Sequence, residues 1–255
     1  MRPRTPCSAD APWPESMVEE EAAGPYNEGM IRHIVWDWNG TLIDDVPACV
    51  RSLNDMLQRH GRKPVTCAKY RRHFGFPVRD YYVRLGFDFN RVDWDRVAAE
   101  FHEFYRIHAK TVRLRRGAGE TLRRLQKSGV PMSILSASET SILEQMVAER
   151  GIRNFFSGLY GLSDLFAQSK IEAGRQLLAG IGIAPVDMLL VGDTIHDSEV
   201  AATMGCRCVL VRGGHQAVDR LRRCGREILP DVASILGYLR RSSVSRARCG
   251  RRKAP

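Results

Sequence analysis

The chain reads as an α/β protein with a doubly wound, parallel (Rossmann-like) sheet and an inserted helical cap. Three observations predict this. Apolar runs of strand length occur at residues 31–36, 132–135, 188–191 and 207–211. The stretches between them carry apolar residues at helical spacing and stop at glycines. Two of the runs deliver an aspartate at their C-terminal ends, Asp37 and Asp193, where open α/β sheets place ligand-binding groups.

The elements follow in order. After the first run, Val46, Val50, Leu53 and Leu57 recur at helical spacing, and Gly61 is placed to end the helix. Residues 64–110 stay helical and polar-aromatic. Trp94, Val97, Phe101, Phe104 and His108 form one stripe, which reads as a packing face rather than a cofactor box. Residues 46–110 are therefore expected to form the cap, inserted into a core of residues 30–45 and 111–240. In that core Leu122 and Leu125 mark a helix that stops at Gly129, and Pro131 opens the strand at 132–135. A helix through Ile142, Leu143, Met146 and Val147 ends at Gly151, and residues 155–160 are expected to lead into another short strand. Ile171, Leu177, Leu178 and Ile181 make the next helix, ending near Gly182. The strand at 188–191, a short helix at 199–204 and the strand at 207–211 complete the alternation that requires parallel crossovers. Residues 231–240 predict a last surface helix.

Composition narrows the class. With 255 residues, 44% of them hydrophobic, the chain can bury a full core plus a smaller insert. No apolar run approaches a membrane span, and residues 1–29 lack a signal-peptide core, so a soluble cytoplasmic protein is expected. The seven cysteines are scattered without a C-x-x-C pair, which argues against a zinc site or a disulfide framework. The net charge of +10 is uneven. Residues 1–29 read as a disordered tail with an acidic run at Glu19-Glu20-Glu21. Residues 241–255 read as a basic, disordered Ser/Arg tail. That tail leaves nucleic acid open as a partner, but no aromatic residues interleave with its charges.

Four segments carry chemistry. Asp37 stands on the Gly40-Thr41 turn in Asp37-Trp38-Asn39-Gly40-Thr41-Leu42 and is placed to act as a nucleophile or metal ligand. Ser136 ends the second core strand, and Ser138, Glu139 and Thr140 are expected to begin a helix, so a hydroxyl and backbone N–H groups meet where a phosphate could bind. Lys170 lies just before a helix, about two dozen residues ahead of Asp193, the interval that one helix and one strand need. Leu189-Leu190-Val191-Gly192-Asp193-Thr194-Ile195-His196-Asp197 ends a buried strand in Gly-Asp, with Asp197 one helical turn on. His196 is expected to face solvent or the cap.

Together these segments resemble the haloacid dehalogenase-like hydrolases, most closely the phosphoglycolate-phosphatase-like branch, over roughly residues 31–215. The resemblance implies a Mg2+-dependent phosphatase acting on a small phosphorylated substrate. It implies Asp37 as nucleophile, with Asp37, the main-chain oxygen of Asn39, Asp193 and Asp197 around the metal. Asn39, Ser136 and Lys170 complete the catalytic set. Thr41, Ser136, Ala137 and Lys170 are expected to meet the substrate, together with Arg72 or Arg79 from the basic-aromatic cap loop. One departure stands out. The family places a second aspartate two residues after the nucleophile, where this chain has Asn39. An amide can donate a hydrogen bond but cannot exchange a proton as a general acid does. Two alternatives therefore stay open: a phosphonate hydrolase or other aspartate-nucleophile enzyme, with Lys63, Lys69 or Lys110 as a cap amine, and a phosphate-binding pseudo-enzyme.

Overall fold

A computed structural model describes residues 30–163 and 170–249. The expectations for residues 1–29 and 250–255 lie outside the described residues. Six parallel strands form one sheet: β1 (His33–Trp36), β2 (Met132–Glu139), β3 (Gly158–Leu162), β4 (Met188–Gly192), β5 (Arg207–Val211) and β6 (Glu227–Leu229), in the order β3-β2-β1-β4-β5-β6. Among the described residues ten α-helices connect and cover them: α1 (Val46–Arg59), α2 (Cys67–His73), α3 (Val78–Arg84), α4 (Trp94–His108), α5 (Ala118–Lys127), α6 (Thr140–Glu149), α7 (Ile171–Ile181), α8 (Ile195–Met204), α9 (Val218–Leu221) and α10 (Ile235–Cys249).

Side chains alternate across the central strands with period two, and both faces are buried. Ile34, Trp36, Leu189, Val191, Val209 and Val211 enter one core. Val35, Leu135, Met188, Leu190, Cys208 and Leu210 enter the other. Strand order reverses at β1, which pairs with β2 on one side and β4 on the other. This is the switch point where a crevice opens at the carboxyl ends of parallel strands. Helices α1 to α4 fall between β1 and β2 in the chain and stand over that crevice.

Several elements depart from the sequence reading. The second strand runs on to Glu139, with an irregular register between Leu135 and Glu139. Ser136 therefore lies inside β2 rather than at its end. Helix α6 is capped by Glu139, whose carboxylate accepts from the Ser141 and Ile142 amides, and not by Ser138. Strand β6, only three residues long, has too short an apolar signature to be seen in sequence. Helix α10 continues past Arg240 to Cys249, so residues 241–249 are helical where composition suggested an irregular tail. Among the described residues no helix is long and apolar enough to cross a membrane.

Gly40 is a position only glycine suits. Its φ is +74°, and a Cβ there would run into the His215 imidazole and the Asp193 carboxylate. The Gly40→Ala variant should lose at least about 2 kcal/mol of stability, since the left-handed backbone alone costs an L-residue about 1–2 kcal/mol and the clash adds to it. Denaturant unfolding checks this, and an unchanged midpoint would show that the turn relaxes freely.

Candidate active site

The site grows out of adjacent strand ends. Asp37 follows β1 immediately, and its amide donates to the Val191 carbonyl of β4 at 2.9 Å. Asp193 follows β4 in the same way. Asp197 belongs to a capping box at the start of α8: Thr194 accepts from the Asp197 amide, and Asp197 Oδ2 accepts from the Thr194 amide at 2.9 Å. The same oxygen accepts from the Asp193 amide at 3.1 Å. One carboxylate thus starts a helix and fixes the strand end that carries its neighbour. The three aspartates are buried, with one oxygen of each within 4.8 Å of the others.

Lys170, the N-cap residue of α7, reaches into this cluster and is itself buried. Its Nζ lies 2.6 Å from Asp37 Oδ1 and 2.6 Å from Asp197 Oδ1. Burial opposes the ammonium, but the two carboxylates outweigh it and hold the Lys170 pKa above its ordinary value. Burial also opposes ionisation of Asp197, yet Lys170 and the Thr194 hydroxyl keep that group below the usual carboxylate range. Asp37 goes the other way. Burial, reinforced by the charges of Asp197 and Asp193, pushes it well up despite Lys170. Burial and Asp197 raise Asp193 as well, against the pull of His215. Carboxylates crowded until their charge is disfavoured are a donor set that a hard divalent cation fits.

Around Asn39 the structure shows a second network. Asn39 Nδ2 donates to Asp45 Oδ2 at 2.8 Å and to the Tyr105 hydroxyl at 3.0 Å. Asn39 Oδ1 accepts from Ser138 Oγ at 2.8 Å. Asp45 is fully buried and accepts further from the Gly40 amide (2.7 Å), the Tyr105 hydroxyl (2.9 Å) and the Cys49 thiol (3.3 Å). His215 Nε2 lies 3.1 Å from Asp45 Oδ1, and His215 Nδ1 lies 2.8 Å from the Tyr70 hydroxyl. Burial works against both charges. Even so, His215, Asn39 and Tyr105 bring Asp45 down to about 2, and Asp45 lifts His215 to about 9. Asp45, Cys49 and His215 also lie close enough to share a metal. Burial and the Asp45 charge raise the thiol, however, and keep it a poor ligand.

The sequence-derived residues are distributed unevenly. Asp37, Asn39, Ala137, Lys170, Asp193 and Asp197 line one cavity of about 560 Å³ beneath the cap. Thr41 is buried behind it, with its hydroxyl donated to Asp193 Oδ1 at 3.0 Å, so it orients an acid rather than facing the cavity. Ser136 is buried too, and its Oγ accepts from the Ser138 amide at 3.0 Å. Of the two arginines, Arg79 lines the cavity over the Phe89 ring, whereas Arg72 is exposed and outside the lining. Its neighbour Arg71 points to the core instead, donating to the Gly214 and Gly213 carbonyls at 2.8 and 3.0 Å. His196 is buried in the first turn of α8 and stacks on Phe76 from the cap with ring centroids 4.5 Å apart.

The arrangement matches a known family. The model of the haloacid dehalogenase-like hydrolases fits residues 34–211, which take in both acid-bearing strands, Lys170 and the cap. The chain belongs to the haloacid dehalogenase-like hydrolases. Within this hydrolase family it is 27% identical over 194 residues to phosphoglycolate phosphatase 1 of Pseudomonas aeruginosa, covering 72% of this chain and 70% of that one. It is 26% identical over 221 residues to the phosphoglycolate phosphatase of Pectobacterium atrosepticum, covering 84% and 94%. A haloacid dehalogenase-like hydrolase structure from Streptococcus pneumoniae superposes with a TM-score of 0.68 at 23% identity, over 82% of this chain and 98% of that one.

For a hydrolase of this family, Asp45, His215, Tyr70 and Tyr105 are the residues that sequence reasoning missed. Only Asp45 left a trace, as the second acid of the Asp44-Asp45 pair; Asp44 is exposed and Asp45 is not. The His215–Asp45 pair sets a pH signature. His215 is raised on folding, so its contribution is complete below its unfolded pKa near 6.5 and is lost as pH climbs through about 9. Asp45 is lowered, so its contribution is complete above about 4 and is lost as pH falls towards 2. Metal-free protein should therefore lose up to about 3 kcal/mol between pH 6.5 and 9. The His215→Gln variant should be less stable at pH 6 and flatter across that interval. Thermal unfolding against pH decides it, and parallel curves for the two proteins would refute the assignment.

Proposed function

We propose that the protein is a Mg2+-dependent phosphatase acting through an aspartyl-phosphate on Asp37. The observation that carries this reading is Lys170 held between Asp37 and Asp197, with Asp193 beside them at the sheet's switch point. Asp37, Asp193 and the Asn39 carbonyl would hold Mg2+, with Asp197 behind them. Bound there, the ion supplies the positive charge that lets a carboxylate approach a phosphate dianion.

The protein's own groups do the rest. Lys170 fixes one oxygen of Asp37 and offers its ammonium to the phosphoryl oxygens. Ala137 and Ser138 present the end of β2 to the same space. The Asp37 carboxylate forms the new bond to phosphorus as the ester oxygen departs, and water then cleaves the aspartyl-phosphate. The names of the relatives support a small phosphorylated substrate. The phosphonate alternative, with its amine on the cap, has less support. Lys63, Lys69 and Lys110 are all exposed, and among the described residues lining the cavity the one lysine is Lys170, already paired.

Phosphate release from p-nitrophenyl phosphate tests the reading. Activity should require Mg2+, and Asp37→Asn should lower it by at least about 1,000-fold, since the nucleophile itself is removed. Asp193→Asn should raise the Mg2+ concentration needed for half-maximal rate. Activity that survives Asp37→Asn would refute the nucleophile assignment.

A further inference from the structure

We infer that the substrate is an aryl phosphate, the monoester of a phenol-like alcohol, rather than a small acidic alkyl phosphate. This rests on the phosphatase reading and specifies its leaving group. Two independent observations lead to it: where the protons are around residue 39, and what lines the cavity.

An alcohol leaves phosphorus readily only if its oxygen is protonated as it goes, and a general acid typically contributes about 100- to 10,000-fold to such a step. The side chain at residue 39 cannot serve. Both amide hydrogens of Asn39 are committed, one to Asp45 and one to Tyr105, and its oxygen is occupied by Ser138. The Tyr105 hydroxyl donates to Asp45, and Ser138 Oγ donates to Asn39. The hydrogen bonds of Asn39, Tyr105 and Ser138 close on one another and on Asp45, so these three side chains present no spare proton to the departing oxygen. A phenol, with a pKa of about 10 against about 16 for water and simple alcohols, leaves as its anion without help.

The cavity supplies the matching surface. Its volume of about 560 Å³ lies within the range of about 300–1,000 Å³ for sites that enclose drug-sized organic ligands, with room for a ring. The cap lines it with Phe74, Phe76, Tyr81, Tyr82, Trp94 and Phe101. Phe74 packs edge-on against Tyr81, and Tyr82 against Trp94, with ring centroids 5.6 Å apart in each pair. Such walls accept another ring by stacking or edge contact. The ionisable cap residues in the lining are Arg79, Asp80 and His102, and Arg79 is already placed over Phe89. The six aromatic side chains of the cap give a ring more matching surface than they give a carboxylate.

The chemistry balances. An oxygen of Asp37 bonds to phosphorus while the bond from phosphorus to the aryl oxygen breaks, and the electron pair leaves on the aryloxide, which takes a proton from water. A water oxygen then attacks phosphorus, the bond to Asp37 breaks, and phosphate and the phenol are the products.

The test is a leaving-group series on the full chain with Mg2+: substituted phenyl phosphates, 2-phosphoglycolate, a simple alkyl phosphate and acetyl phosphate. The phenyl esters should exceed the alkyl esters by at least about 100-fold in kcat/KM, with rates falling steeply as the phenol pKa rises. Acetyl phosphate, a good leaving group without a ring, should turn over with a KM at least about tenfold higher. Phe101→Ala, or Phe101→Leu if the first folds poorly, should raise KM for the phenyl esters by a larger factor than for acetyl phosphate. The exchange Asn39→Asp with Asp45→Asn, which supplies an acid at residue 39 without placing two carboxylates in contact, should narrow the phenyl-to-alkyl ratio at least about tenfold. Hydrolysis of 2-phosphoglycolate as fast as the phenyl esters, or a flat leaving-group series, would overturn the inference and leave the phosphatase reading standing. No Asp37-dependent hydrolysis of any ester would remove both.

Discussion

The cluster at the sheet's switch point depends on one ammonium group. Asp37, Asp193 and Asp197 are removed from water and from bulk counterions, and their mutual repulsion at such distances is large in a medium of low polarisability. Lys170 answers two of them at once, 2.6 Å from each. The neighbourhood is built to keep that geometry. Gly40 and Gly214 bring backbone against Asp193, where a Cβ would collide with its carboxylate. Thr41 orients the same group, and the capping box of α8 orients Asp197. Asp37 is left with its charge disfavoured by burial and by its two acidic neighbours, a state that a divalent cation beside it would relieve.

A second set of contacts joins the cap to the core through one buried carboxylate. Asp45 sits at the base of α1, and its partners come from three directions: Tyr105 from α4, Asn39 and Gly40 from the turn after β1, and His215 from the loop after β5. Tyr70 of α2 extends the chain through the imidazole. Arg71 and Gln216 add main-chain contacts across the same seam, to Gly214 and Phe74. Cap position and site electrostatics are therefore set by the same hydrogen bonds. Helix α4 also explains the aromatic stripe seen in the sequence. Val97 is fully buried and His108 pairs with Asp55, while Trp94 and Phe101 serve as both packing face and cavity wall.

Much of this was legible in the sequence because its signals are local. Strand-length apolar runs ending in aspartate, glycine stops and the spacing from Lys170 to Asp193 each follow from the geometry of one β-α unit. What escaped depends on rotation and long-range pairing. Arg71 and Arg72 are adjacent on a helix, where one residue means a turn of about 100°, so only one can face the core; composition cannot say which. Asp44 and Asp45 are likewise adjacent, just ahead of α1, yet the first is exposed and the second buried. His215 carries no spacing signature, since it meets Asp45 only after the sheet has formed, 170 positions apart in sequence. The apolar run stops at Leu135 and so points to a strand end at Ser136, but main-chain pairing carries β2 on through polar residues.

The 2.8 Å contact between Asn39 and Asp45 also bears on how such sequences change. An acid at both positions would force two carboxylates to share one proton, and an amide at both would leave the His215 imidazole without the carboxylate that it contacts directly. The two positions therefore cannot vary independently. Among relatives that share this architecture, an amide after the nucleophile should be inherited together with an acid at the start of the first cap helix. The pair would then mark a lineage within the family more reliably than either residue does alone.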